Sequence, residues 1–243
     1  MATRDNQQMQ RLNYLLAHLP DDDYQAIAFD LREVKLSLGQ ILYEPYQPIS
    51  TVYFPNQAMV SLVRVMADGS TIEAGIVGND GILGYPVFLG GTSMSSRAVV
   101  QIAGTAMALD ATRLQIEFQR GKALQTLLLL YAQAFIAQVS QTAACNRFHA
   151  IEERLACWLL QSRDFAQSSH LKLTQDFLSS MLGTRRASIT VAAKTLQQKG
   201  LIRYNRGHVE ILDQRGLEGA SCECYDAVRK EYQRLLESFE GKP

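Results

Sequence analysis

At Ala111 the hydrophobic pattern of this chain changes period, and that change constrains its folding more than any other feature. Before it, short β-rich runs are separated by Gly, Pro, Asn and Asp turns: Val34 to Leu38, Ile41 to Tyr43, Thr51 to Phe54, Ala58 to Met66, Thr71 to Val77, Ala98 to Ile102 and Thr105 to Leu109. This spacing predicts an all-β unit, a small barrel or roll. Its clearest hairpin joins Val63 to Met66 and Thr71 to Glu73 through Ala67-Asp68-Gly69-Ser70, where Asp-Gly supplies the positive-φ turn. Beyond Ala111, the run from Lys122 to Arg147 has a helical period and presents Leu124, Leu127, Leu128, Tyr131, Phe135 and Val139 on a side too broad for a lone surface helix. A rod of that length, about 39 Å at 1.5 Å per residue, must be covered within one subunit or by the same helix of a second subunit.

The flanking segments are helical by the same test. Arg4 to Arg32 predicts two short helices, with Leu12, Leu15, Leu16 and Leu19 on one stripe, a break at Pro20-Asp21-Asp22-Asp23, and Tyr24, Ile27, Ala28 and Leu31 on the next. Ile151 to Phe165 is amphipathic through Leu155, Trp158, Leu159 and Phe165, and a polar Gln167-Ser168-Ser169-His170 linker follows.

Composition removes several classes. The apolar fraction of 47% argues against disorder. Gln125, Gln133 and Gln138 interrupt the most apolar stretch, so no bilayer span is expected. Met1 to Gln10 lacks the apolar core of a secretory signal, which points to a cytoplasmic protein. Cys145, Cys157, Cys222 and Cys224 lack Cys-x-x-Cys spacing, and no histidine lies close to Cys222 and Cys224 in sequence, so reduced, structural thiols are expected rather than a metal site.

The 24 basic and 24 acidic residues balance overall, yet residues 170 to 215 hold eight basic side chains against three acidic ones. A local basic surface is the electrostatic footprint of a nucleic-acid reader. Within it, Thr174 suits an N-cap for a helix burying Phe177, Leu178, Met181 and Leu182, and Gly183 suits the left-handed turn that ends it. Arg185 to Gln198 then resumes helical periodicity around Ile189, Ala192, Ala193 and Leu196, and Gly200 ends it. Leu201 to Tyr204 and Val209 to Leu212 flank a hairpin turn carrying Arg206. The segment predicts a winged helix-turn-helix. Its second helix has a cationic first turn, where the helix dipole and free N–H groups favour phosphate. Arg186 is the expected base reader, since Arg can take guanine bidentately. Arg185, Ser188, Thr190, Lys194 and Arg206 are the other expected DNA contacts, chiefly to the backbone.

These residues make the segment similar to the C-terminal domain of the Crp/Fnr family of bacterial transcription regulators. Leu38 to Pro45, Val52-Tyr53-Phe54-Pro55, Ser61-Leu62-Val63, and Val77-Gly78-Asn79-Asp80-Gly81 with Gly84 resemble the family's cyclic-nucleotide-binding-type β-roll. The resemblance spans about residues 10 to 225. It implies an α+β protein with an N-terminal double-stranded β-roll sensor with its leading helices (1–111), a long dimerisation helix and linker (112–147) and a winged helix-turn-helix (148–243). It further implies a homodimer on near-palindromic double-stranded DNA, with recognition helices roughly 34 Å apart, and RNA polymerase as a further partner of an activator.

Two departures refine that expectation. Where the cyclic-AMP-responsive branch opens its recognition helix Arg-Glu-Thr, this chain has Arg186-Ala187-Ser188, with Val191 where a second Arg is usual, so the preferred DNA sequence is expected to differ. The family's phosphate cassette needs a Gly-Glu-Leu turn and, later, an Arg-Ser or Arg-Thr pair. Here Gly84 precedes Tyr85-Pro86, and the later segment is Ser95-Ser96-Arg97-Ala98. Gly84, Tyr85, Ser96, Arg97 and Tyr131 are the candidate effector-pocket residues, and the effector is expected not to be cyclic AMP. Tyr85, Phe88, Met94 and Tyr131 read equally as core packing. An iron–sulfur sensor would need N-terminal cysteines, which residues 1 to 144 lack, and His18 and His149 are poor support for haem. No cofactor is assigned. A constitutive DNA-binding protein without a sensed ligand is the alternative, and a cupin-like enzyme is disfavoured because no histidine lies between residues 19 and 148.

Overall fold

The computed structural model describes residues 11–240, so the expected helical stretch from Arg4 to Gln10 lies outside the described residues. Contacts divide the chain into two units. One comprises the described residues to Leu62, Ile76–Phe135 and the chain from Tyr232, and the other comprises Val63–Gly75 and Ile136–Glu231.

The first unit opens with α1 (Tyr14–Ala17) and α2 (Asp21–Ala28). Asn13 caps α1 by accepting from Leu16 N, and its amide donates to Pro55 O and Gly81 O at 2.9 Å each, tying the helix to the strands. Seven strands follow in the chain, the end of β4 and most of β5 belonging to the second unit: β1 (Arg32–Leu36), β2 (Ile41–Tyr43), β3 (Thr51–Pro55), β4 (Met59–Val65), β5 (Thr71–Val77), β6 (Arg97–Ile102) and β7 (Gly104–Asp110). They form a sheet of order β1-β7-β3 and a second of order β2-β6-β4-β5. Arg32 lies opposite Ala108 and Thr51 opposite Asp110, so β7 pairs antiparallel with both neighbours. β1 begins and ends two residues before its expected span, because Gly39 at φ +77° and a Ser37 N–H that donates to Gln40 Oε1 turn the chain away before Leu38.

Asp110 caps α3 (Ala111–Gln119) by accepting from Thr112 N and Arg113 N, so the change of period in the sequence coincides with a helix start. α4 (Ala123–Phe148) is the long helix. By length and composition it could cross a membrane, contrary to the expectation above. Leu124, Leu127, Leu128, Tyr131, Ala134 and Phe135 are nevertheless buried within the protein, as in a core helix.

In the second unit the β4–β5 turn forms as expected, with Gly69 at φ +82° and Met66 N donating to Ser70 O at 2.8 Å. α5 (Ile151–Ala166) buries Leu155, Trp158, Leu159 and Leu160. Trp158 Nε1 donates to Glu73 Oε1 at 2.9 Å, which pairs a buried indole with a buried carboxylate. β8 (His170–Lys172), α6 (Gln175–Met181), α7 (Arg186–Gln198), β9 (Ile202–Asn205) and β10 (His208–Ile211) form the helix-turn-helix and its wing, with strand order β8-β10-β9. Two helices that the sequence reading did not assign, α8 (Gln214–Ala220) and α9 (Cys224–Glu240), complete the chain.

The fold is therefore α+β: antiparallel sheets, a long helix and a C-terminal winged helix-turn-helix.

Candidate nucleic-acid interface

The local sequence fixes α6 and α7 in a turn of few residues. Thr174 Oγ1 accepts from Phe177 N, closing the start of α6. Gly183, at φ +58°, ends it, and a Cβ there would meet Ile72 Cδ1 at 2.6 Å. Only glycine suits both the backbone angle and the space. Arg185 then takes the N-cap position of α7 in extended conformation with no side-chain cap, and its carbonyl accepts from Ser188 N at 2.9 Å, so an anion would meet the N–H groups that precede Ser188.

α7 buries Ile189, Ala192, Ala193 and Leu196. Burying that stripe turns Arg185, Arg186, Thr190, Val191 and Lys194 outward, with Ser188 half-buried. The wing turn places Arg206 at φ +46° and Gly207 at φ +81°, two successive left-handed residues of the kind that a tight hairpin needs. Arg206 is exposed.

The expected contacts fall into two groups. Arg186, Thr190, Lys194 and Arg206 line one groove of about 590 Å³, together with Asp176 and Tyr204. Arg185 and Ser188 line a second, of about 880 Å³, beside the turn of the β4–β5 hairpin. Several residues that the sequence reading did not single out shape the first groove. Thr190 Oγ1 donates to Gln175 Oε1 at 3.1 Å, Gln197 Oε1 accepts from Tyr204 N at 2.7 Å, and Tyr204 OH donates to Leu173 O at 2.8 Å. Burial pushes the Tyr204 phenol up to about 12, with Arg186 acting in the opposite direction. Asp176 Oδ1 lies 3.3 Å from Arg186 Nη1. The available signal for Gln175 and Asp176 was their position directly after the Thr174 cap, in the exposed first turn of α6.

The family of Crp-like helix-turn-helix domains matches residues 153–220, which span α5 through the wing and α8. That segment is therefore similar to a Crp-like helix-turn-helix domain. The whole fold is similar to that of FixK2 from Bradyrhizobium japonicum, at 14% identity and a TM-score of 0.67 over 79% of this chain and 98% of that one. A transcriptional regulator of the CRP/FNR family from Thermus thermophilus aligns at 19% identity and a TM-score of 0.64, over 78% of this chain and 98% of that one. A putative Crp/Fnr-family regulator from Eubacterium rectale aligns at 16% and 0.65, over 87% and 99%. No curated protein matches the chain significantly in sequence. The chain has the fold of these Crp/Fnr-family structures.

In the β-roll of this Crp/Fnr fold, the five candidate effector residues occupy different settings. Gly84 has φ +105°, and a Cβ there would meet Val52 at 2.8 Å. Tyr85 packs against Phe135, ring centroids 5.2 Å apart. Tyr131 is fully buried, donates to Ile82 O at 3.1 Å and fills the space above Gly81, where a Cβ would meet its ring at 2.6 Å. Arg97 Nε lies 2.8 Å from Glu44 Oε2, so a protein carboxylate engages this arginine. Ser96 is half-buried.

Proposed function

We propose that the protein is a cytoplasmic, dimeric, sequence-specific DNA-binding transcription regulator. The observation that carries this reading is the cationic N-terminus of α7: Arg185 and Arg186 are exposed, and Arg186 lines one groove with Lys194 and Arg206. The arrangement suits major-groove entry. Arg186 reads a base edge, while Arg185, Ser188, Thr190, Lys194 and Arg206 engage the backbone.

Dimerisation uses α4. Its exposed residues Leu129, Gln133, Ile136, Ser140, Ala143 and Arg147 recur at alternating steps of four and three, the seam spacing of a two-stranded coiled coil. Two copies joined there present their α7 helices to successive major grooves of a near-palindromic operator, and RNA polymerase is the further partner where the protein activates.

The β-roll responds to an effector other than cyclic AMP. The Arg97 to Glu44 ion pair offsets the charge that a cyclic phosphate would need, and Tyr131 is packed as core. The same two features favour the second reading, a regulator that binds DNA constitutively.

Fluorescence anisotropy on a fluorescent duplex library tests the central claim. Affinity is expected to fall steeply with salt and to differ among sequences. Equal affinity for every duplex, or binding indifferent to salt, would overturn it. Effector-independent affinity, with no small molecule retained in native mass spectrometry, selects the constitutive reading.

A further inference from the structure

Three cysteines and one histidine, drawn from two distant stretches of sequence, converge in the second unit. Cys145 lies near the C-terminal end of α4 and His149 just beyond it, while Cys222 and Cys224 flank the start of α9. One ligand atom from each, three Sγ and one imidazole nitrogen, lies within 4.8 Å of all the others. Cys145 Sγ is 3.6 Å from Cys222 Sγ, a pair 77 residues apart in sequence, and Cys224 Sγ is 3.4 Å from His149 Nδ1.

Those two separations match edges of a metal-centred tetrahedron, and the other four lie within 4.8 Å. With zinc–sulfur bonds of about 2.3 Å and zinc–nitrogen bonds of about 2.0–2.1 Å, neighbouring sulfurs stand about 3.8 Å apart, and sulfur and nitrogen about 3.6 Å apart. A bonded disulfide, by contrast, would hold its sulfurs about 2.05 Å apart, and all four cysteines are free thiols.

The surroundings also fit. His149 Nε2 lies 3.2 Å from Glu223 Oε2, so a carboxylate orients the ring and leaves Nδ1 facing the sulfurs. This is the outer partner that metal-ligating histidines regularly have. Gln141 Nε2 donates to Cys224 Sγ at 3.0 Å, a contact that stabilises a thiolate. Arg154 lines the adjacent cavity of about 50 Å³ with Cys145, Cys157 and Cys224, and its cation offsets the net negative charge of three thiolates around a divalent ion. Cys157 is a neighbour outside the four-atom set.

We propose that Cys145, His149, Cys222 and Cys224 bind one zinc ion, which fastens the C-terminal end of α4 to the α8–α9 junction beside the helix-turn-helix. The protein supplies all four positions, so the site is closed, as structural zinc sites are, with no coordination position left for a reacting molecule. On binding, the thiols still protonated release their protons to solvent.

The test uses the full chain, purified under reducing conditions. Elemental analysis is expected to find one zinc per chain. Chelated protein is expected to take up one cobalt(II) ion, with the visible absorption of tetrahedral cobalt and a thiolate-to-cobalt charge-transfer band. Cys145→Ser, Cys222→Ser, Cys224→Ser and His149→Ala should each abolish or alter that spectrum, whereas Cys157→Ser keeps it. Glu223→Gln should weaken metal affinity about 10–100-fold with the spectrum retained. Should the ligand variants fail to fold, the wild-type cobalt titration and Glu223→Gln still decide the matter. Metal-free protein that takes up neither ion, a disulfide between Cys145 and Cys222 in the reduced preparation, or an unchanged spectrum in His149→Ala would overturn the proposal.

Discussion

Arg186 Nη1 meets Asp176 Oδ1 at 3.3 Å, although both side chains are largely exposed on the surface proposed to face DNA. An exposed pair of this kind contributes about 0–1 kcal/mol, so Arg186 can leave Asp176 for a guanine edge at small cost. Asp176 also places a negative charge on the groove proposed to receive DNA phosphates. Asp176→Asn is expected to tighten DNA binding by about two- to five-fold. Arg186→Ala is expected to lose about 1–3 kcal/mol on the preferred site and to relax preference at one base position. Anisotropy against the preferred duplex and single-base variants separates the two effects. Uniform weakening across all duplexes by Arg186→Ala would assign Arg186 to the phosphates instead.

The wing calls for a different signature. Arg206 sits at φ +46° in a turn completed by Gly207, so replacing it with another side chain leaves the backbone demand of that position much as it is. Arg206→Ala is expected to weaken binding about equally for all sequences and to reduce the slope of log affinity against log salt by about one. A variant that changes base preference while keeping the full salt slope would contradict a phosphate role.

Much of this interface was legible because local rules governed it. Thr174 capping, Gly183 and Gly200 at positive φ, and the stripe of Ile189, Ala193 and Leu196 need only neighbouring residues to be read. The same holds for the strands, whose alternation and turn residues are local. Legibility failed where distant residues meet. Asp176 beside Arg186 requires the angle between two helices, and Glu73 beneath Trp158 requires a hairpin 85 residues away in sequence. The cysteine cluster is the clearest instance. Along the chain Cys222 and Cys224 have no nearby histidine, and the expectation of structural thiols followed from that spacing. Folding brings His149 to Cys224 from 75 residues away. The internal partners of the candidate effector positions were equally out of reach: Tyr131 and Arg97 have the chemistry of ligand contacts, and the fold engages them with Ile82 and Glu44.

Asp80 gives the β-roll unit a pH dependence. Burial pushes its carboxyl up from 3.8 to about 6, outweighing the backbone N–H groups of Gly78 and Asp80 that favour the anion. Tyr131 and Tyr232 are the ionisable neighbours that interact with it, and both phenols are themselves pushed up by burial, so neither supplies a compensating charge at neutral pH. The folded value exceeds the unfolded one, so the folded state holds the extra proton between about pH 4 and 6. Stability is therefore greatest below that window and declines as pH rises through it, by about 3 kcal/mol at most. Asp80→Asn is expected to remove this component and raise the unfolding midpoint at pH 8. Denaturation of both proteins between pH 4 and 8 checks the sign, and parallel curves would exclude Asp80 as the source.

The exposed seam on α4 makes the oligomeric state testable. Leu129 and Ile136 are 47% and 62% exposed, and they stand on the alternating four-three register with Gln133, Ser140, Ala143 and Arg147. Large aliphatic residues left in water at that spacing gain when a second copy covers them, because the paired helices bury the same stripe on both sides of a two-fold axis. Glutamates at those positions would face each other across the axis and add like-charge repulsion to the lost burial. The double variant Leu129→Glu, Ile136→Glu is expected to sediment as a monomer where the parent sediments as a dimer. It should also lose most affinity for a two-half-site operator while keeping the weak, salt-sensitive binding of a single helix-turn-helix. If the variant remained dimeric and bound the full operator as tightly as its parent, the subunits must join through another surface, and α4 would no longer be the element that spaces the two recognition helices.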